Sequence, residues 1–269
     1  MRSPTPRPLA VITGASEGIG RDLASCYALA NFDLVLVARR EPLLRDLAGT
    51  LFAQHGTRCQ VLPADLSQPA ECDRVLAAIA GERERLYALV NNAGLGTHGW
   101  FHEIPMERQR VLIEVNITAL THLARGVLPW LRANGRGHVM NVASVASFQP
   151  GPLMATYYAS KAYVLSLSEA LHNECLGTGV TVTAVCPGPT TTGFKVAAGL
   201  ATDSAPGGPP PMRSADVADR AFRGTMAGKP VVITGARNVV AAALGRYLPR
   251  AWSAATIRKI QLARMKPSS

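Results

Sequence analysis

No uninterrupted apolar run in this 269-residue chain reaches the roughly 18 residues that suggest a membrane-spanning helix. Cysteine is sparse and scattered. Cys26, Cys59, Cys72, Cys175 and Cys186 are odd in number and show no CxxC spacing, which argues against a disulfide framework or a zinc site. Histidine offers no ligand spacing either. His98 and His102 are four apart, but they sit in the loop-like GLGTHGWFHEIP, and no metal site is expected. Acidic residues are few, 18 against 28 Lys and Arg, for a formal charge of +10. No pattern of a nucleic-acid module accompanies that charge, and the arginines are mostly dispersed, which suits an enzyme with an anionic cofactor better than a nucleic-acid binder. The amino terminus, MRSPTPRPLAVITG, lacks a signal-peptide pattern, so a cytoplasmic location is the expectation.

What is present is an alternation. Apolar runs at 8–13, 33–40, 58–67, 87–94, 137–143, 179–188 and 229–235 read as buried strands, because they are continuous rather than alternating. Helical patterns separate them at 18–31, from 41 to about 55, up to about 84, at 106–132, 155–176 and 214–227. Strands alternating with helices predict an α/β fold: one doubly wound Rossmann-type domain with a seven-stranded parallel sheet, spanning 1–235. A basic helical extension then fills 236–269. A Pro/Gly-rich excursion at about 190–213, with SAPGGPPPM at its centre, reads as a lid over the site.

Four stretches carry chemistry. TGASEGIG at 13–20 puts Gly14, Ser16, Glu17, Gly18, Ile19 and Gly20 between the first strand and its helix, where glycine allows backbone to approach a pyrophosphate at a helix amino terminus. The second strand ends in Arg39 and Arg40 rather than in an acid. That favours a 2′-phosphate and therefore NADP(H) over NAD. Tyr157 and Lys161 are four apart on a predicted helix and share a face. The ammonium is expected to lower the tyrosine pKa and make the phenol a usable proton donor and acceptor. Ser144, from the end of the fifth strand, could bond an oxygen on which charge develops. Tyr158 lies about 100° further round the helix and reads as core or interface packing, and Ser147 as a loop hydrogen-bonder. His98, Trp100 and Phe101 suit either the substrate pocket or ordinary loop packing.

TGxxxGxG, NNAG at 91–94, Asn116, and Tyr-x-x-x-Lys with a serine 13 residues upstream occur together and in order. Over residues 8–235 this resembles the short-chain dehydrogenase/reductase family. The resemblance implies Tyr157 as acid/base and Ser144 as the group polarising the substrate carbonyl. It implies Lys161 at the nicotinamide ribose and Asn116 in a water-linked proton relay. It places Asn91, Asn92, Ala93 and Gly94 along the cofactor groove and Asp65 and Leu66 at the adenine. Pro187, Gly188 and Thr190 fall near the nicotinamide, with Thr192 at its amide or the pyrophosphate. It further implies a homodimer or homotetramer built on the helices at 106–132 and 155–176.

The expected activity is NADP(H)-dependent interconversion of a small-molecule carbonyl and alcohol at a Ser-Tyr-Lys-Asn site. Two other readings stay open on the residues. One is an NADP-binding sensor or scaffold without turnover. The other is a membrane-peripheral reductase of lipid-like carbonyls. The latter rests on the tail from Ala236, which holds no acid and carries +7 from Arg237, Arg246, Arg250, Arg258, Lys259, Arg264 and Lys266. Its apolar residues are spaced for an amphipathic helix broken at Pro249. Packing of that apolar side on the domain or on a second subunit is the favoured reading.

Overall fold

A computed structural model describes residues 6–194, 198–200 and 210–265. The central part of the predicted lid, 195–197 and 201–209, and Lys266 of the tail lie outside the described residues. The elements run β1 (Leu9–Thr13), α1 (Gly18–Leu29), β2 (Asp33–Ala38), α2 (Glu41–His55), β3 (Cys59–Pro63), α3 (Pro69–Ile79) and β4 (Leu86–Asn91). Next come α4 (Met106–Ile113), α5 (Leu120–Ala133), β5 (Gly137–Val142), α6 (Ala155–Glu174) and β6 (Val180–Cys186). The remainder is β7 (Thr190–Thr191), β8 (Met212–Arg213), α7 (Ser214–Met226), β9 (Val231–Ile233), α8 (Ala236–Tyr247) and α9 (Arg250–Leu262).

The main sheet is seven-stranded and parallel, in the order β3-β2-β1-β4-β5-β6-β9. Successive residues of β1 feed opposite layers. Leu9 and Val11 pack with Val75 of α3 and Leu123, Val127 and Leu131 of α5. Ala10 and Ile12 pack with Leu23 and Tyr27 of α1, Leu44 and Leu47 of α2, and Ala218 of α7. Both faces are therefore covered, with β1 buried at every position and β4 at every position but Tyr87. The strand order reverses direction between β1 and β4. Loops leaving these two carboxyl ends diverge there and open a crevice.

The strands are shorter than predicted where the chain turns into that crevice. β3 stops at Pro63 rather than at Asp65, because Asp65 forms a local turn: its carboxylate accepts from the Ser67 N–H (3.1 Å) and hydroxyl (2.9 Å). The single helix expected at 106–132 is α4 and α5 joined by a π-helical turn, Glu114–Ala119, centred near Asn116. Met106–Ala133 is long and apolar enough to cross a membrane by length and composition. Its Leu123, Val127 and Leu131, however, are buried in the layer described above. The two-residue parallel pair of β7 and β8 was not expected. The tail forms two helices separated at Leu248–Pro249, where proline provides no N–H to continue α8.

Candidate active site

The glycine turn is shaped by close approaches. Gly14 and Gly18 have φ of +66° and +56°, the left-handed region that favours glycine. A Cβ on Gly14 would lie 2.8 Å from Asn92 Nδ2 and 2.9 Å from Ala93 Cα. The ends of β1 and β4 are tied at this point. Asn92 Nδ2 donates to the carbonyls of Thr13 (2.9 Å) and Gly14 (3.1 Å), while Thr13 Oγ1 accepts from the N–H groups of Asn92 and Ala93, each at 3.0 Å. No side chain caps α1, so its first-turn N–H groups are unclaimed by a cap where the chain enters the crevice. Unclaimed donors, glycine backbone and a helix amino terminus together suit a pyrophosphate.

At the far side of the glycine turn, Arg39 and Arg40 are exposed at the end of β2. Arg40 is engaged: Nη2 lies 2.7 Å from Glu17 Oε1 and donates to Ser16 Oγ at 3.3 Å. On the other side, Ser144 follows β5 in extended backbone, and its Oγ accepts from Ala146 N–H (3.1 Å) and donates to Pro187 O (3.4 Å). Tyr157 and Lys161 stand one turn apart on α6. Lys161 is buried and donates from Nζ to Val142 O at 2.7 Å, with the Tyr157 ring centre 5.9 Å away. Gly94 leaves room for the ammonium, since a Cβ there would stand 3.3 Å from Nζ.

The electrostatics correct one expectation. Burial pushes the Tyr157 phenol up to about 12, against a smaller lowering by its hydrogen bond with Ser144. Lys161 does not offset that burial. Its own pKa is pulled down to about 8 because the ammonium is buried too. The phenol is thus held protonated at neutral pH, the form that donates.

One cavity of about 680 Å³ runs from Arg39 and Arg40, past Asp65 and Leu66 and the glycine turn, to Tyr157. Pro187, Gly188, Thr190 and Thr192 close its side, and Thr192 sits against Gly18, where a Cβ would meet its Cγ2 at 3.0 Å. The predicted site residues border this cavity with the exception of Gly20, Asn91 and Asn116. Gly20 acts by packing, because a Cβ there would fall 2.2 Å from Gly14 O. Asn91 is spent inside the sheet, where its amide donates to Asn141 Oδ1 at 2.9 Å. Asn116 is buried in the π turn and holds the chain after Gly94: Oδ1 accepts from Leu95 N–H (2.8 Å), and Nδ2 donates to Leu95 O (2.9 Å) and Ser160 Oγ (3.0 Å).

Beyond Tyr157 the cavity wall consists of Met154, Tyr158, Phe194, Leu200, Gln261 and Arg264, none of which the sequence pointed to as site residues. Tyr158 is core packing, as expected, and also lines the cavity; its hydroxyl accepts from Gln261 Nε2 at 3.2 Å. Ser147 donates to Lys161 O at 2.7 Å and is a loop hydrogen-bonder, as its position suggested. His98 and Trp100 secure α9 from outside, through His98 Nε2 at 3.2 Å from Gln261 O and the Arg258 guanidinium 5.6 Å from the Trp100 ring centre. Nothing in the tail's sequence marks Gln261. Only the docking of α9, more than a hundred residues on, brings it to Tyr158.

Comparison with known proteins agrees with this geometry. The family model described as short chain dehydrogenase matches residues 8–201. A 7beta-hydroxysteroid dehydrogenase from Collinsella aerofaciens is 34% identical over 182 residues, 68% of this chain and 68% of that protein. The structure of a short-chain dehydrogenase from Sphingobium yanoikuyae in complex with NADPH superposes with a TM-score of 0.77 at 33% identity, covering 97% of this chain and 98% of that one. A 3-ketoacyl-(acyl-carrier-protein) reductase from Brucella melitensis complexed with NADH gives 0.76 at 26% identity, over 87% and 99%. The matched span takes in the glycine turn, Ser144, Tyr157 and Lys161 alike, and the chain belongs to the short-chain dehydrogenase/reductase family of oxidoreductases.

Proposed function

We propose that this oxidoreductase interconverts a carbonyl and an alcohol with NADP(H), using Ser144, Tyr157 and Lys161 as its reacting groups and Asn116 as the residue that fixes the loop beside them. The observation that carries the reading is the single cavity joining the Tyr157/Ser144 pair to the glycine turn and the two arginines. A bound nicotinamide cofactor supplies hydride in reduction and accepts it in oxidation.

The chain's own residues do the rest. The glycine turn and the start of α1 hold the pyrophosphate, and Arg39 with Arg40 attracts a 2′-phosphate by charge-assisted bonds. Asp65 and Leu66 support the adenine end. Ser144 Oγ and the Tyr157 hydroxyl converge where the substrate oxygen gains charge. Donors preplaced there favour the transition state over the ground state. Tyr157, protonated at neutral pH, gives its proton to that oxygen in reduction. Lys161, buried one turn along α6 from Tyr157, holds the nicotinamide ribose in this reading. Met154, Phe194 and Leu200 make the substrate side apolar, which suits a carbonyl on a hydrophobic body. The chain assembles as a homodimer or homotetramer through α4, α5 and α6.

The test is cofactor oxidation with NADPH and NADH against a panel of ketones and aldehydes, repeated with Arg39→Asp/Arg40→Asp. The wild-type protein is expected to prefer NADPH. Hydrogen bonds to charged groups are worth about 1.5–3 kcal/mol, so the double variant should raise KM for NADPH by roughly ten- to a hundred-fold. Equal use of both cofactors by the wild-type protein overturns the NADP(H) assignment, and absence of turnover on the whole panel overturns the carbonyl reaction.

A further inference from the structure

The inner faces of the two tail helices are accounted for. Ala242 and Gly245 of α8 are buried, Gly245 so closely that a Cβ would lie 3.0 Å from Gln149 Oε1. Ser253, Ile257 and Gln261 of α9 are buried as well. The outer face has no such cover. Val240 (59% exposed), Leu244 (53%) and Tyr247 (82%) follow one another at i, i+4 and i+7 along α8, which sets them on one stripe. Leu248 (41%) and Trp252 (68%) continue it through the Pro249 turn. Singly exposed apolar residues are ordinary on a protein surface, but a run of this kind, with two aromatic rings largely in solvent, marks a contact surface.

Charge decides which contact. Arg237, one turn before Val240, and Arg250, between Leu248 and Trp252, are exposed and, among the described residues, make no ion pair, while Arg246 lies on the flank that it shares with Val239 and Glu169. The sequence from 236 to 269 holds no acid to balance them. A two-fold contact with a second copy would set the same arginines against each other across an apolar face, which like-charge repulsion disfavours. An anionic lipid surface reverses that sign. Its headgroups attract the arginines, while its interfacial zone accommodates tryptophan and tyrosine.

We propose that the outer face of α8 and the Pro249 turn dock this protein peripherally on anionic membrane surfaces. α9, whose buried face delivers Gln261 to the cavity, directly follows that turn. Gln261 stands twelve residues beyond Pro249, on the order of 18 Å along α9 from the docked turn. Docking would bring the cavity near carbonyl compounds that partition into lipid.

The experiment is co-sedimentation of the full chain with vesicles of phosphatidylglycerol and phosphatidylcholine in equal parts, and with phosphatidylcholine alone. Vesicle binding reports docking without any turnover, so its failure is separate from failure of the proposed reaction. The wild-type protein should pellet with the anionic vesicles at low salt, pellet poorly with phosphatidylcholine, and be released by high salt. Arg237→Gln and Arg250→Gln should each weaken binding by roughly five-fold. Tyr247→Ser/Trp252→Ser should weaken it by about ten-fold or more while keeping the wild-type thermal transition and the wild-type rate on a water-soluble carbonyl. No pelleting of wild-type protein at low salt overturns the proposal, as does undiminished binding by the Tyr247/Trp252 variant. A wild-type dimer that the same variant converts to monomer, with no vesicle binding by either, also overturns it and assigns the face to a second copy.

Discussion

At the scale of single residues, the site turns on which groups are buried. Tyr157 and Tyr158 are neighbours in sequence, but only Tyr157 has both Ser144 and Lys161 beside its ring. Tyr157→Phe should abolish turnover, since loss of general acid catalysis alone is worth about 10² to 10⁴ in rate, and it should leave cofactor binding nearly unchanged. Tyr158→Phe removes only the acceptor for Gln261 and should leave most of the activity. Steady-state rates and a fluorescence titration of cofactor distinguish the two. Away from the site, His138 is buried edge-on to Tyr87, with ring centres 4.9 Å apart, and burial lowers its pKa from 6.5 to about 4. Because the folded pKa is depressed, the unfolded chain takes up this proton first as pH falls. Stability contributed by the neutral ring is therefore present above pH 6.5 and lost as pH drops from about 6.5 to about 4, by about 3 kcal/mol at most. Urea unfolding at pH 7 and pH 5 should show this loss in the wild-type protein and a smaller one in His138→Phe. Neither pKa was legible in the sequence. The spacing of Tyr157 and Lys161 gave their shared face, whereas their burial depends on β5, the Gly94 loop and Phe194 closing round them.

At the scale of elements, the regular parts were legible because the inner strands are covered on both faces and read as near-continuous apolar runs. The Val180–Cys186 strand and the glycine turn after Thr13 announce themselves in this way. What was not legible has few residues or distant causes. The pairing of Thr190 with Met212 and Thr191 with Arg213 is too short to leave a period. The π turn at Glu114–Ala119 inserts no unusual residue, and shows only in the bonds that Asn116 makes to Leu95. Helix α1 illustrates how tightly one element can be held by its loop. Gly20→Ala would drive a methyl to 2.2 Å from Gly14 O and 2.4 Å from Asn92 Nδ2. Overpacking of that kind costs about 1–3 kcal/mol, and here it also displaces the glycine turn. Gly49, inside α2, has nothing within 4 Å of its Cβ position. Gly49→Ala should stabilise the protein by about 0.8 kcal/mol through helix propensity. Thermal melts of both variants, with cofactor titration of Gly20→Ala, check the contrast: one loses stability and cofactor affinity, the other gains stability and keeps its affinity.

For the molecule as a whole, the cleft is divided between two suppliers. In the proposed reaction the cofactor side is built from loops at the carboxyl ends of the strands, and the substrate side from α6, Phe194, Leu200 and the tail. Ile257 is the apolar anchor that seats α9, packed with Met154, Tyr158 and Leu200. Ile257→Asp should undock α9, because a buried unpaired carboxylate is costly. The expected result is a raised KM for carbonyl substrate, with cofactor affinity close to wild type. A cofactor titration beside steady-state kinetics measures both, and an equal fall in the two affinities would show that the division does not hold.

The division has a consequence in time. Gly14 is synthesised well before Gln261, yet both border one cavity. Domains fold largely as they are made, amino-terminal parts first. A nascent chain that has reached β9 already contains the glycine turn, both arginines, Ser144, Tyr157 and Lys161, but not the wall that Gln261 completes. Cofactor capture can therefore precede substrate capture during biogenesis. A dinucleotide bound at that stage would steady the sheet by mass action before the wall assigned to substrate in the proposed reaction is complete.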